Sequence, residues 1–202
     1  MYRGRPVVCW ARPVHDHKTA SPPGLLPLYI PHIVLCKMEN HEKYMRLALK
    51  EAEKSLTEGE FPVGCVMVAD DTVVAQGHRI NSFGERANEL DHAEMITLRR
   101  LLEDRPGFNC SAVTVYATME PCLMCYSTLL LNGVHKIVFA YEDVMGGGTN
   151  LPLSELSTLY SKLRVKLVPG VLRPESLALF KRFFRNHDYW RDSLLARYTM
   201  EQ

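Results

Sequence analysis

Several features are scarce or missing in this chain of 202 residues, and each absence removes a class of protein. No apolar run reaches the roughly 20 residues that a membrane-spanning helix needs. No segment repeats, so a solenoid or propeller is not expected. Net charge is nearly absent: 24 Lys and Arg stand against 23 Asp and Glu, a formal +1. Bulk electrostatic attraction to nucleic acid is therefore lacking, and any such binding needs a local patch. The six cysteines lack the regular spacing of a disulfide framework. What remains is a chain that is 47% apolar, with the length for one sizeable core.

The small net charge hides an asymmetry. Residues 1–37 carry Arg3, Arg5, Arg12, Lys18 and Lys37 against Asp16, a net +4, which leaves −3 for the remainder. The same stretch holds six of the twelve prolines and shows neither helical nor strand period. It is expected to be a disordered leader, or sequence upstream of a start at Met38, with residues 38–202 as the domain proper. Pro27 and Pro31 interrupt its apolar part, which argues against a signal peptide. A basic, acid-poor organelle-targeting leader stays open. Beyond it, Asn40 reads as an N-cap, and Tyr44, Leu47, Ala48, Glu51, Ala52 and Leu56 form a helical stripe that stops at Gly59. Residues 63–69 and 73–80 read as a hairpin turning at Asp70-Asp71. Helices are expected at 92–102, 122–131, 153–163 and 174–185, with strands at 112–118, 136–141 and 165–168. The alternation predicts a three-layer α/β/α sandwich around a five-stranded mixed sheet. The crossover between the last two strands permits them to run parallel.

Two short segments carry the chemistry: His92-Ala93-Glu94 and Pro121-Cys122-Leu123-Met124-Cys125. Both begin predicted helices, whose positive N-termini favour thiolates. One His nitrogen and two thiolates give a tetrahedral Zn²⁺ three protein ligands and leave one position open, the catalytic arrangement. Water held there has its pKa lowered toward neutrality. Glu94 is left over as a proton carrier. A Cys-x-x-Cys pair alone would equally suit redox chemistry, and Glu94 alone would complement a helix dipole. The conjunction favours zinc, and a spare carboxylate favours catalysis over a non-catalytic zinc-binding interaction module. His78 and His135 are read as non-ligands, and Cys65 as core packing. A thiolate site suits a reducing, cytoplasmic setting.

The pattern H-x-E…P-C-x-x-C is the signature of zinc nucleobase deaminases. Over about residues 42–185 the chain resembles the cytidine-deaminase-like zinc deaminases, most of all the bacterial tRNA-specific adenosine deaminases. The resemblance is carried by Glu60-Phe-Pro-Val-Gly-Cys-Val, His92-Ala-Glu, Val115-Tyr-Ala-Thr-Met-Glu-Pro-Cys-Leu-Met-Cys, Ile137-Val-Phe-Ala-Tyr-Glu-Asp and glycines 146–148. It implies the cytidine-deaminase-like fold, one Zn²⁺ on His92, Cys122 and Cys125, and Glu94 as proton shuttle. It places Asn81 against the base and Asp143 against the nucleotide near it. It implies conversion of adenosine in tRNA to inosine by a homodimer; a free base or nucleoside such as guanine or cytosine is the alternative substrate. The sequence departs from the family at Asp91, Tyr126-Ser127-Thr128 and Met145. One basic helix face, Lys181, Arg182 and Arg185, offers phosphate contacts or an ordinary solvated surface.

Overall fold

Small residues decide where the first helix and the first strand meet. The computed structural model describes the backbone of residues 32–202 and side chains from residue 40 onward. Helix α1 (His32–Thr57) turns the buried side of Met45, Ala48 and Ala52 toward strand β1 (Gly64–Ala69). Their spacing of three and four residues keeps all three on one helical face. A Cβ built on Gly64 would lie 2.1 Å from the Ala48 carbonyl oxygen and 2.4 Å from the Ala52 nitrogen, so only glycine permits this approach. The helix ends in a Schellman motif: Gly59 (φ 81°) donates to the Leu56 carbonyl at 3.1 Å, and Glu60 to that of Ser55 at 2.9 Å. Its start differs from expectation. Asn40 lies inside the helix rather than capping it, because the backbone is already helical from His32. The expected leader, residues 1–37, otherwise falls outside the described residues.

Strand β1 pairs antiparallel with β2 (Thr72–His78) through a two-residue turn in which Asp70 (φ 47°) and Asp71 (φ 56°) both adopt left-handed backbone. The Tyr44 hydroxyl donates to the Asp71 carbonyl at 2.8 Å and ties this turn to α1. On its other side β1 pairs antiparallel with β3 (Thr114–Met119). Strands β3, β4 (Lys136–Tyr141) and β5 (Lys166–Val168) run parallel, giving the order β2-β1-β3-β4-β5. Alternate residues serve opposite faces. Cys65, Met67, Val115 and Ile137 belong to the core shared with α2 (Ala93–Asp104) and α3 (Leu123–Leu131). Val66, Val68, Tyr116 and Val138 pack with Tyr44, Met45 and Ala48 of α1. Helix α5 (Arg173–Asn186) contacts α1 and β4. This is the expected five-stranded mixed sheet in a three-layer sandwich. Cys65 is fully buried, as its core assignment required.

The single helix expected over 153–163 is instead a 3₁₀ turn (Leu153–Glu155) and a short helix α4 (Thr158–Ser161). Ser157 is extended (φ −57°, ψ 161°) between them. This stretch is rich in Ser and Thr, whose hydroxyls compete for helical backbone groups. A further helix, α6 (Leu194–Glu201), was not anticipated; the Ser193 hydroxyl caps it by accepting from the Ala196 N–H at 3.0 Å. Helix α6 docks at the end of β4. Tyr198 donates to Glu142 at 2.7 Å, and Tyr141 and Thr199 share a hydrogen bond of 3.0 Å. Arg173 grips Glu142 with Nε at 2.8 Å and with Nη2, and holds its carboxyl down at about 2. Among the described residues no helix is long and apolar enough to cross a membrane.

Replacing Gly64 by alanine forces α1 off the sheet. Overpacking of this kind costs about 3 kcal/mol, so Gly64→Ala is expected to lower Tm by on the order of 10 °C in a thermal melt. An unchanged Tm would show that α1 and β1 are not in backbone contact.

Candidate functional site

The two parallel strands β3 and β4 end side by side, with Met119 paired to Tyr141. The carboxyl edge of parallel strands is where α/β sheets open a crevice for ligands. The antiparallel β1 brings Phe61 and Val63 to the same edge at its beginning, and β2 brings Arg79 there at its end. Helices α2 and α3 both start at this edge. A cavity of about 130 Å³ opens among them, its wall including His92, Glu94, Glu120, Cys122 and Asp143.

His92 and Cys122 occupy the N-cap positions of α2 and α3, with extended backbone (ψ 149° and 170°), and neither side chain caps its own helix. Both side chains are therefore free to face each other. His92 Nδ1 lies 3.5 Å from Cys122 Sγ and 3.4 Å from Cys125 Sγ, and the three donor atoms sit within 4.8 Å of one another. A tetrahedral zinc with nitrogen at about 2.0–2.1 Å and sulfur at about 2.3 Å separates N from S by about 3.5 Å. The donor set fits the metal in type and in spacing. A hydrogen bond from Cys125 draws the Cys122 thiol down to about 4, against burial and with help from His92; the same pairing pushes Cys125 up. The site thus favours a thiolate at Cys122.

The far side of the His92 ring is held as well. Its Nε2 meets a Glu89 carboxylate oxygen at 3.2 Å, and the buried Arg79 meets that oxygen at 3.1 Å while donating to the Asn88 carbonyl at 3.0 Å. Burial works against the Glu89 charge, but the hydrogen bond from His92 and the pairing with Arg79 hold its carboxyl below the usual range. A carboxylate on Nε2 fixes the tautomer that presents Nδ1 to a metal.

Glu94, two residues along α2, is 3% exposed, with its carboxylate 3.6 Å from Cys125 Sγ. Burial pushes its carboxyl above the usual range, toward the region useful for proton transfer. Asp143 also lines the cavity, its carboxylate accepting from the Met145 and Gly146 N–H groups at 3.0 and 2.9 Å. Asn81 is not in the cavity wall; its backbone is left-handed (φ 54°) and its amide nitrogen donates to Asp91 at 2.7 Å. Asp91 also accepts from Asn88 at 2.8 Å. His78 is engaged by Glu51 and Glu58, away from the cluster.

Three contributions were not assigned from the sequence. Glu120, buried two residues before Cys122, accepts from the Asp143 and Thr149 N–H groups, each at 3.2 Å, and from the Thr149 hydroxyl; it fastens the 143–149 loop to the site. Gly148 lets that loop touch α3, since a Cβ there would lie 2.6 Å from the Leu123 backbone. Arg79 and Glu89 form the second contribution, and only the acid three residues before His92 signalled it. The third is the C-terminal segment: Tyr189, Trp190 and Leu195 form part of the cavity wall. The aromatic pair was visible in the sequence, but nothing local tied it to the site. The basic face of α5 is smaller than its sequence suggested, because Arg182 is paired with Glu53 of α1 at 2.9 Å.

One zinc per chain is expected in purified protein, lowered by His92→Ala and by Cys122→Ala in elemental analysis. Glu89→Ala should retain the fold and weaken zinc about 10- to 100-fold in competition with a chelator. Zinc content indifferent to both ligand substitutions would refute the site.

Comparison with known proteins agrees with this geometry. Residues 38–141 match the family described as the cytidine and deoxycytidylate deaminase zinc-binding region. The tRNA-specific adenosine deaminase of Bacillus subtilis (strain 168) is 32% identical over 148 residues, 73% of this chain and 91% of that protein. That of Aquifex aeolicus (strain VF5) is 28% identical over 148 residues, 72% of this chain and 97% of that protein. A structure from a study of A-to-I editing by tRNA:A34 deaminases superposes with a TM-score of 0.57 at 24% identity, covering 68% of this chain and 98% of its own. Guanine deaminase from Nitrosomonas europaea gives 0.58 at 17% identity, covering 81% of this chain and 98% of its own. These two structural likenesses speak for the fold. The chain belongs to the zinc-dependent hydrolytic deaminase family of the cytidine and deoxycytidylate deaminases, with the tRNA-specific adenosine deaminases among its relatives.

Proposed function

We propose that this protein converts adenosine in tRNA to inosine. The observation that carries the chemistry is Glu94: a buried carboxylate beside the His92–Cys122–Cys125 cluster, opening into the same cavity. A site built only to hold metal has no use for it. The substrate follows from the relatives, which carry the name tRNA-specific adenosine deaminase.

In this reading His92, Cys122 and Cys125 hold one zinc. Bound there, zinc supplies the Lewis acidity that makes a water nucleophilic near neutral pH. Glu94 would accept a proton from the attacking water and deliver it to the ring nitrogen beside the amine-bearing carbon as the carbon–oxygen bond forms. It would then move the proton of the newly added hydroxyl to the amine, which leaves as ammonia as the carbon–nitrogen bond breaks and the carbonyl forms. Adenosine and water become inosine and ammonia. Asp143, in the cavity wall, contacts the nucleotide near the base. Asn81 is placed against the base by the family resemblance alone, since it lies outside the cavity wall and its amide nitrogen is held by Asp91.

The deaminase domain in this proposal is residues 38–202, with residues 1–37 as a leader. The family match from residue 38 supports that division. We place the protein in the cytoplasm: none of Cys65, Cys110, Cys122 and Cys125 is in a disulfide, and a thiolate site suits a reducing compartment. A homodimer would cover the groove lined by Met95, Leu98, Leu102, Met124 and the exposed Leu90. A second substrate reading, a free base or nucleoside, draws support from Tyr189, Trp190 and Leu195, which add apolar wall to the cavity from the C-terminal side.

Inosine formation in an anticodon stem-loop, measured beside ammonia release from free guanine, cytosine and adenosine, separates the two readings. The stem-loop is expected to react, and Glu94→Ala to lose about 10²- to 10⁴-fold in rate while keeping its zinc. Efficient turnover of a free base without inosine in RNA would reject the tRNA reading in favour of the second.

A further inference from the structure

The C-terminal segment brings a pair of stacked aromatic rings to the mouth of the cavity. The Tyr189 and Trp190 rings lie 5.1 Å apart and 14° from parallel, and both residues line the cavity that holds His92 and Glu94. Phe61 flanks Trp190 at 5.8 Å, and the exposed Phe83 flanks Tyr189 at 5.9 Å. Exposure sets inner end against rim: Glu94 is 3% exposed, whereas Trp190 is 39% and Met145 45% exposed. Trp190 also has a left-handed backbone (φ 56°), which is disfavoured for a bulky side chain. A turn holds it there, with Ser193 N–H donating to the Trp190 carbonyl at 2.9 Å. Strain maintained at a site wall is a mark of function. Core packing does not account for it, since the ring is left partly in water.

We propose that Tyr189 and Trp190 form a stacking platform for the nucleobase next to the reacting one, an inference that rests on the RNA reading above. A base that reaches Glu94 fills the inner end of the cavity, so its ribose and phosphates point toward the mouth. The neighbouring nucleotide then emerges at the rim. There the protein offers the aromatic and apolar surface of Tyr189, Trp190 and Met145. Unstacked bases of single-stranded loops are held by such aromatic faces. The platform therefore recognises a base by its flat face and tolerates any of the four.

A cycle pairing protein and RNA changes tests this. The chain has two tryptophans, Trp10 and Trp190, so Trp10→Phe leaves Trp190 as the only indole reporter. Its emission should be quenched on binding an anticodon stem-loop. Base–aromatic stacking predicts that Trp190→Ala raises KM for the stem-loop about 5- to 100-fold with a smaller change in kcat. Trp190→Phe should recover most of the loss. Removing the base on the 5′ or the 3′ side of the reacting adenosine should cost the Trp190 protein a similar factor at one of the two positions. The same removal should cost Trp190→Ala little, because contact makes the two losses non-additive. Equal costs in both proteins at both positions, with inosine still formed, would overturn the platform alone. No inosine from the Trp190 protein would overturn the RNA reading and the platform with it. Zinc content measured alongside identifies any variant that has lost the site.

Discussion

The arrangement depends on two helices beginning at the same edge of the sheet. Because β3 and β4 are parallel, the segments leaving them emerge side by side, and α3 starts there directly after β3. The antiparallel β1–β2 hairpin sends the chain back to that edge, where α2 starts. His92 and Cys122 thus meet as N-caps, close enough for one ion to bridge them. Cys125 follows on the first turn of α3, and Glu94 on the first turn of α2. Positive helix ends favour the negative ligands placed there. Close packing supports the convergence from behind: Gly64 lets α1 press on β1, and Gly148 lets the 143–149 loop press on α3.

Around these ligands the protein spends its charged groups on position. Arg79 holds Glu89, and Glu89 holds the outer nitrogen of His92. Glu120 holds the loop that carries Asp143. Arg173 and Tyr198 meet on Glu142, which fixes α6 at the end of β4 and so places Leu195 in the cavity wall. Apart from the exposed Glu89, these are buried or half-buried groups with a hydrogen-bonded partner, as the low dielectric of an interior demands. Glu94 differs in that its carboxyl is pushed up by burial.

The ligand set was legible in the sequence because its geometry is local. His-x-Glu and Cys-x-x-Cys each fit within one helical turn, and alternating period gave the sheet that joins them. The length of the connection permitted the parallel run that β4 and β5 adopt. What could not be read was set by distant partners. Trp190 reaches the site through Phe61, far away in sequence, and Arg182 is neutralised by Glu53 on another helix. Asn81 illustrates the same limit: its role was carried by resemblance, whereas the fold sets its amide against Asp91, a residue in which this chain departs from its family. The misread helix at 153–163 failed for a local reason, the extended Ser157 in a Ser- and Thr-rich stretch.

The central claim is that one zinc is held by three protein donors with a fourth position left open beside Glu94. X-ray absorption at the zinc edge of the purified holoprotein tests it most directly. The account predicts two sulfur ligands at about 2.3 Å and one imidazole nitrogen at about 2.0–2.1 Å, completed by one oxygen that an added ligand exchanges. Four protein donors, or a coordination shell without two sulfurs, would contradict it.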